Sequence, residues 1–451
     1  MNAADFDLIG LARRHPERYP FFLESIAAGP ELARYDILFA FPQATLELGA
    51  DGQLTGPGSE GSSGNEFLAA LDAWWASERR DDLDADADSP FTGGWFLYLG
   101  YELAEEIEPT LRLSPHPHLP VAFATRVPVA VVRDKLAGTM TVVAEPGYAD
   151  EAEQARKDLA AHAGDSRARP VVAVSIAEDE PAEFLAAIAQ AKAHIAAGDI
   201  FQANLSRCWH ATTDEPVQPT DLYAQLRATN PSPFGGLVQR DDFALVSSSP
   251  ERLIRRRGDR VETRPIAGTR PRSDNEESDA RTAELLKNPK ERAEHIMLID
   301  LERNDLGRVC VGGTVHVDEY MVVESYSHVH HIVSNVAGTV RPDVTPGALL
   351  RAVFPGGTIT GCPKVRCMEI IQALEQRPRG AYTGSMGYLN HTGDCDLNIL
   401  IRTMSVVGNE IEIAAGAGIV ADSDPQRELD ETRAKAKGML LALQAEQRSG
   451  G

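Results

Sequence analysis

Short β-rich runs and helical stretches follow one another in this 451-residue chain without the regular strand–helix–strand rhythm that a parallel sheet requires. Strand-like alternation marks Tyr35–Leu48, Val121–Val132, Ala244–Ser248, Val309–Val317, Met321–Val323 and Ile411–Ala415. Apolar residues at helical spacing mark E-F-L-A-A-I-A-Q-A-K-A-H-I-A-A-G-D-I, which Gly198 ends, and stretches near 280–303, 345–353, 364–376 and 425–446. Polar loops are expected over 50–65 and 80–92. The pattern predicts an α+β layered architecture rather than a doubly wound sheet. Composition changes across 145–182, where a polar helix and a linker separate a region 1–165 from a region 180–446.

The length allows one large or two ordinary domains, each with its own core. A net charge of −23 argues against nucleic acid or an anionic membrane as the main partner. An acidic chain that takes an acidic substrate needs local Arg, Lys or metal. The five cysteines, Cys208, Cys310, Cys362, Cys367 and Cys395, have no metal-type spacing, and the expected state is a reduced, cytoplasmic one. No apolar run approaches the roughly 20 residues that span a bilayer.

Two segments carry paired glutamates: Glu291 and Glu294 in K-E-R-A-E-H-I-M, and Glu428 and Glu431 in Q-R-E-L-D-E-T. A spacing of three places both carboxylates of a pair on one helix face. Such faces are either solvated or, when two converge, a site for a hard cation such as Mg²⁺ with room for substrate oxygens. F-P-G-G-T-I-T-G-C-P-K-V-R (354–366) is a turn or a ligand cradle, with Thr358 offering a hydroxyl and Lys364 opening the next helix. In A-A-G-A-G-I-V-A-D-S-D-P (414–425), Gly416 and Gly418 can present backbone N–H groups to a carboxylate, and Ser423 or Asp424 can cap the helix that starts at Pro425. Arg402, in an apolar strand-like run, needs either a bound anion or an internal ion pair. His328 and His330 share one face of a strand and His331 takes the other; packing and catalysis are both open for His331.

G-D-I-F-Q-A-N-L-S-R, S-S-S-P-E-R, T-R-P-I-A-G-T-R-P-R, E-H-I-M-L-I-D-L-E-R-N-D-L-G-R-V, F-P-G-G-T-I-T-G-C-P-K-V-R, G-A-Y-T-G-S-M-G-Y and A-G-A-G-I-V-A-D-S-D-P occur in this order over 180–446. Together they resemble the chorismate-utilising enzymes. The resemblance implies a two-lobed sandwich of antiparallel sheets with outer helices, with 180–446 as the chorismate-binding region and 1–165 as its companion. It implies Mg²⁺ as cofactor, with Glu294 and Glu431 as ligands and Glu291 and Glu428 as direct or water-mediated partners. Thr358, Lys364, Tyr382, Arg402, Gly416, Ala417 and Gly418 resemble the residues that hold the substrate carboxylates. Glu251 of S-P-E-R resembles the general acid–base carboxylate, and His331 the histidine near the leaving hydroxyl.

Members of the family that add water carry a lysine base where this chain has Gln202, which points to ammonia as the nucleophile. F-P-G-G-T-I-T-G, A-Y-T-G-S-M-G-Y-L, D-L-N-I-L-I-R-T and P-S-P-F resemble the branch that aminates C4, aminodeoxychorismate synthase component I, which serves 4-aminobenzoate and folate synthesis. Against this, Ala267 in P-I-A-G-T stands where that branch often has a nucleophilic lysine; the spelling is that of anthranilate synthase component I, the alternative. A second alternative, an idle subunit that senses tryptophan or chorismate, would predict loss of the metal glutamates, and all four are present. Ammonia is expected from a separate glutamine amidotransferase subunit, because the chain has no length for a glutaminase domain. F-F-L-E-S and N-P-S-P-F resemble the family's tryptophan pocket; a buried packing corner is the other reading.

Overall fold

The computed structural model describes residues 6–26, 34–60, 66–80, 89–161, 168–271, 289–325 and 329–444, with the backbone alone described for 267–271, 289–291, 325 and 329–331. Two antiparallel sheets of 11 strands each form the described architecture. The first runs, in spatial order, Gly361–Cys362, Gln202–Thr212, Glu410–Ile419, Thr403–Val407, Ala244–Ser249, Phe234–Gln239, Phe21–Glu24, Tyr35–Ala40, Val129–Asp134 and Thr139–Ala144, with Ser175–Glu178 beside Gln202–Thr212. The second runs Ile266–Pro271, Val329–Thr339, Arg260–Arg264, Arg252–Arg257, Cys395–Asn398, Ser385–Asn390, Gly94–Leu99, Ala122–Val127, Thr45–Leu48 and Leu54–Thr55, with His316–Ser325 beside Val329–Thr339. The fold is the expected α+β sandwich of antiparallel sheets.

Both sheets mix strands from the two regions. Phe22 sits opposite Leu237 on one side and Leu38 on the other. Tyr388 sits opposite Phe96. Aromatic side chains from the inner faces interdigitate: Phe21 of the first sheet stacks on Phe96 of the second with centroids 4.2 Å apart, and Phe39 meets Phe96 edge-on at 5.4 Å. Such pairs contribute about 1 kcal/mol each beyond their burial. Outer helices cover the other faces. Pro425–Ala442 and Pro219–Thr229 pack on the first sheet through Met439, Leu222 and Leu226. Phe67–Glu78, Pro289–Gly307 and Pro346–Val353 pack on the second through Leu71, Ile299 and Leu350. Among the described residues, no helix is long and apolar enough to cross a membrane.

Three expected strands divide or shift. Tyr35–Leu48 becomes Tyr35–Ala40 in the first sheet and Thr45–Leu48 in the second. Val121–Val132 becomes Ala122–Val127 in the second and Val129–Asp134 in the first. Pro42 and Pro128 stand at the breaks, where a residue without N–H cannot continue a ladder. Val309–Val317 is mostly a turn, with regular pairing starting at His316. The helix expected near 280–303 is described as Pro289–Gly307.

Candidate active site

The chain also crosses between sheets after Ser249 and after Asn398, and both crossings carry site residues. Glu251 lies in the first and Arg402 in the second. The crossings brace each other: the Ile399 N–H donates to the Glu251 carbonyl at 3.0 Å, and the Ser248 N–H donates to the Arg402 carbonyl at 3.0 Å. Arg402 is therefore not within a strand, as its apolar neighbours suggest; it adopts φ +54° where the backbone turns into Thr403–Val407. A non-glycine residue in that conformation is held there by its surroundings.

Glu251 is 5% exposed, and burial raises its carboxyl to a pKa of about 7. The Thr358 hydroxyl, the Ile266 amide and the charge of Lys435 pull it partway back. The contact with Thr358 is not a well-formed hydrogen bond: among the described residues, neither Glu251 Oε1 nor Thr358 Oγ1 has a partner. The turn bearing Thr358 lies against helix Pro289–Gly307, so closely that a Cβ on Gly357 would come 2.4 Å from Leu301 and 3.2 Å from Glu302. Glu302, one more buried carboxyl, is pushed up to about 8 by burial and by Asp305. Lys364 donates to buried Asp305 and lies 3.5 Å from the Val353 carbonyl. Its charge is thus paired within the fold.

Strand Glu410–Ile419 outruns its neighbour Thr403–Val407, whose pairing ends at Met404↔Ile413. On its other side it stays paired with Gln202–Thr212 through Ala203↔Ile419. The Gly416 carbonyl faces the open edge and accepts from Lys435 at 2.9 Å. In a strand the N–H of the same residue points the same way, so the amides of Gly416 and Gly418 also face that edge. A Cβ on Gly416 would lie 2.5 Å from Tyr382 Oη and 2.6 Å from Asn204 Oδ1; one on Gly418 would lie 2.7 Å from Gln202 Nε2. Gln202 Oε1 and Asn204 Oδ1 are buried acceptors without a partner among the described residues. The Tyr382 hydroxyl, raised by burial to about 12, keeps its proton. The Arg402 guanidinium is half-buried beside Tyr382 and makes no hydrogen bond or ion pair among the described residues; desolvation lowers its pKa, and Tyr382 and Glu431 oppose that. Four orphaned oxygens and a free guanidinium within one buried region are what a polar, anionic ligand would satisfy.

The candidate metal residues lie on two helices. Glu294 is half-buried on Pro289–Gly307, next to fully buried His295, whose Nε2 lies 2.6 Å from Ser334 Oγ. The Glu291 side chain lies outside the described residues. Asp424 caps helix Pro425–Ala442 by accepting from the Arg427 N–H at 2.9 Å, which sets Glu428 and Glu431 in its first turns. Glu428 is buried; Glu431 is half-exposed and bonded to Lys435 at 2.8 Å. No three acidic, His or Cys side chains among the described residues form a ready-made metal cluster. Hard carboxylate oxygens that leave room for substrate oxygens nevertheless suit Mg²⁺, which is commonly held by one or two carboxylates. Ala267 pairs with Ile332, and His331 with Thr269 and Glu324, along adjoining strands of the second sheet, with their side chains outside the described set. His328 lies outside the described residues altogether. Asn204, Glu302 and Asp305 were not singled out in the sequence, because an Asn in an alternating strand and acids on a charged helix have no distinguishing pattern.

The fold and this site define a family. The chain belongs to the chorismate binding enzymes, whose profile matches residues 27–441. It is 41% identical over 439 residues to anthranilate synthase component 1 of Thermus thermophilus, covering 94% of this chain and 92% of that one. It is 49% identical over 262 residues to aminodeoxychorismate synthase component 1 of Bacillus subtilis, covering 58% and 55%. Anthranilate synthase component I of Streptococcus pneumoniae TIGR4 has the same fold, with a TM-score of 0.78 and 32% identity over 90% of this chain and 92% of that chain. This protein is a chorismate-utilising enzyme.

Proposed function

We propose that the enzyme aminates chorismate at C4, giving 4-amino-4-deoxychorismate, with ammonia supplied by a separate glutamine amidotransferase subunit. The observation that supports amination over hydration is the amide acceptors of Gln202 and Asn204 in place of a lysine base, in a site with a buried Glu251 carboxyl that titrates at about 7; the F-P-G-G-T-I-T-G and D-L-N-I-L-I-R-T spellings support C4. Arg402 and the Gly416 and Gly418 amides would hold the carboxylates, with Tyr382 and Ala417 shaping the pocket beside them. Mg²⁺ held by Glu294 and Glu431, with Glu291 and Glu428 behind them, would neutralise the ring carboxylate when bound. Gln202 Oε1 and Asn204 Oδ1 accept N–H bonds from ammonia and leave its lone pair free. Ammonia forms the C4–N bond as the C4–O bond breaks. Glu251 gives its proton to the departing oxygen, which leaves as water, and regains one from the new ammonium group.

Ala267 offers no side chain for a covalent adduct, so ammonia acts directly in this scheme. Burial raises the pKa of all five cysteine thiols, so none of them is a ready glutaminase nucleophile. That supports an external ammonia source. Incubation with chorismate, Mg²⁺ and excess ammonium at near-neutral pH should yield 4-aminobenzoate after a 4-amino-4-deoxychorismate lyase is added, and none without the lyase. Anthranilate fluorescence without the lyase would instead establish the second reading, amination at C2 with loss of pyruvate. Ala267 and the near full-length likeness to an anthranilate synthase favour that reading.

A further inference from the structure

Behind the orphaned oxygens lies an ion pair that touches no open space of the site yet reaches most of its walls. Arg379 is 1% and Glu375 3% exposed in their side chains. The Arg379 fork donates from Nε to Glu375 Oε2 at 2.9 Å and from Nη2 to Glu375 Oε1 at 2.7 Å. Nη2 also donates to the Asn204 carbonyl at 2.7 Å. Nη1 donates to the Ile359 carbonyl and to Thr383 Oγ1, each at 3.3 Å. All five guanidinium donors are therefore engaged, and none is left for a ligand. Glu375 Oε1 in turn accepts from the Ser206 N–H at 2.7 Å and its hydroxyl at 2.9 Å. The guanidinium lies 5.5 Å from the Tyr382 ring centroid, and the Tyr382 N–H donates to the Arg379 carbonyl at 2.9 Å.

The bonded backbone groups belong to the residues that carry or adjoin Asn204, Thr358 and Tyr382. Three separate segments meet on one planar cation: strand Gln202–Thr212, the turn Gly357–Ile359 and the chain leading into Ser385–Asn390. We infer that Arg379 is a positioning residue that sets the relative places of Asn204, Thr358 and Tyr382, and that it acts on turnover through them and not by contact with substrate. This inference rests on the site reading given above. A lysine would keep the charge but could not reproduce a planar fork with five donors. A misplacement of about 1 Å among reacting groups can cost about 100-fold in rate.

The test uses the whole protein with R379K and R379A, measuring ammonia-dependent chorismate consumption. R379K should stay folded and lose about 100-fold in kcat with little change in the KM for chorismate, because Arg402 remains. A cleft of about 140 Å³ lined by Tyr101, Glu102, Glu375 and Arg379 opens behind the pair, so guanidinium added to R379A should enter it and raise turnover, whereas added sodium should not. If R379A does not fold, the R379K rate and the kcat-against-KM split decide alone. R379K turnover within about threefold of the unmodified enzyme would overturn the inference while the function stands. So would a loss in R379K that only follows the fraction unfolded in a melt. If the unmodified protein leaves chorismate untouched, the function and this inference fall together.

Discussion

A carboxyl group sealed inside a two-sheet sandwich stays there either neutral or paired, and Glu251 has no cation in contact among the described residues to pair with. Its consequences run through both chemistry and stability. In the unfolded chain the group titrates near 4.5, and in the folded protein near 7. Between those values the folded state holds the extra proton, so the contribution of Glu251 is present below the lower pKa and is lost as pH rises through the upper one. Above that, ionisation opposes folding by on the order of 3 kcal/mol. E251Q cannot ionise. It should melt higher than the unmodified protein at about pH 8 and at the same temperature at about pH 4, as followed by circular dichroism. The same variant should lose roughly 100-fold to 10,000-fold in chorismate turnover. At constant free ammonia, kcat of the unmodified enzyme should fall as pH rises through about 7. The S-P-E-R motif made this residue legible; its burial and its raised pKa were not, because they depend on Thr358 and on helix Pro289–Gly307, distant in sequence.

Among the elements, strand Glu410–Ile419 decides the most. It is paired along one edge for its whole length and unpaired along the other from residue 414 onward, and glycines mark the open stretch. G416A would place a methyl 2.5 Å from Tyr382 Oη and 2.6 Å from both Asn204 Oδ1 and the fixed Leu205 carbonyl. It should destabilise the fold by about 1–3 kcal/mol and abolish measurable chorismate turnover. G312A, where a methyl meets nothing within 4 Å, should change neither and serves as the control in the same melts and assays. The A-A-G-A-G spelling identified this segment, and the helix after it starts at Pro425 as expected, with Asp424, of the two candidates Ser423 and Asp424, as its cap. The strand readings over Tyr35–Leu48 and Val121–Val132 joined two sheets in one run, because alternation continues on both sides of a crossing and period alone cannot report a change of sheet.

At the scale of the molecule, the strands of the two regions are interleaved. Phe21–Glu24 fills the place between Phe234–Gln239 and Tyr35–Ala40, and Gly94–Leu99 fills that beside Ser385–Asn390. A fragment starting at residue 168 would bare both Phe234–Gln239 and Ser385–Asn390 as long apolar edges. It should aggregate on expression, and co-expression with the segment before it should restore a soluble, chorismate-consuming species on size exclusion. A monodisperse, active fragment would show that the region after residue 168 completes its sheets alone. The helix bearing Glu294 packs on the second sheet and the helix bearing Glu431 on the first, and the charges of Glu302 on one and Lys435 on the other both act with Glu251, so the sandwich as a whole brings the two helices to one site.

The sequence by itself determined the layered antiparallel class, the family and the residue types of the site, because these rest on local periodicity and on short ordered motifs. Tertiary structure alone decided which of those residues are free to act. It left Arg402 without a partner among the described residues and gave Lys364 to Asp305. It drew Glu431 toward Lys435 and gathered Asn204, Thr358 and Tyr382 around Arg379. The physical reason is that a charge is silenced or exposed by neighbours far along the chain, and no spacing rule reaches across a sheet.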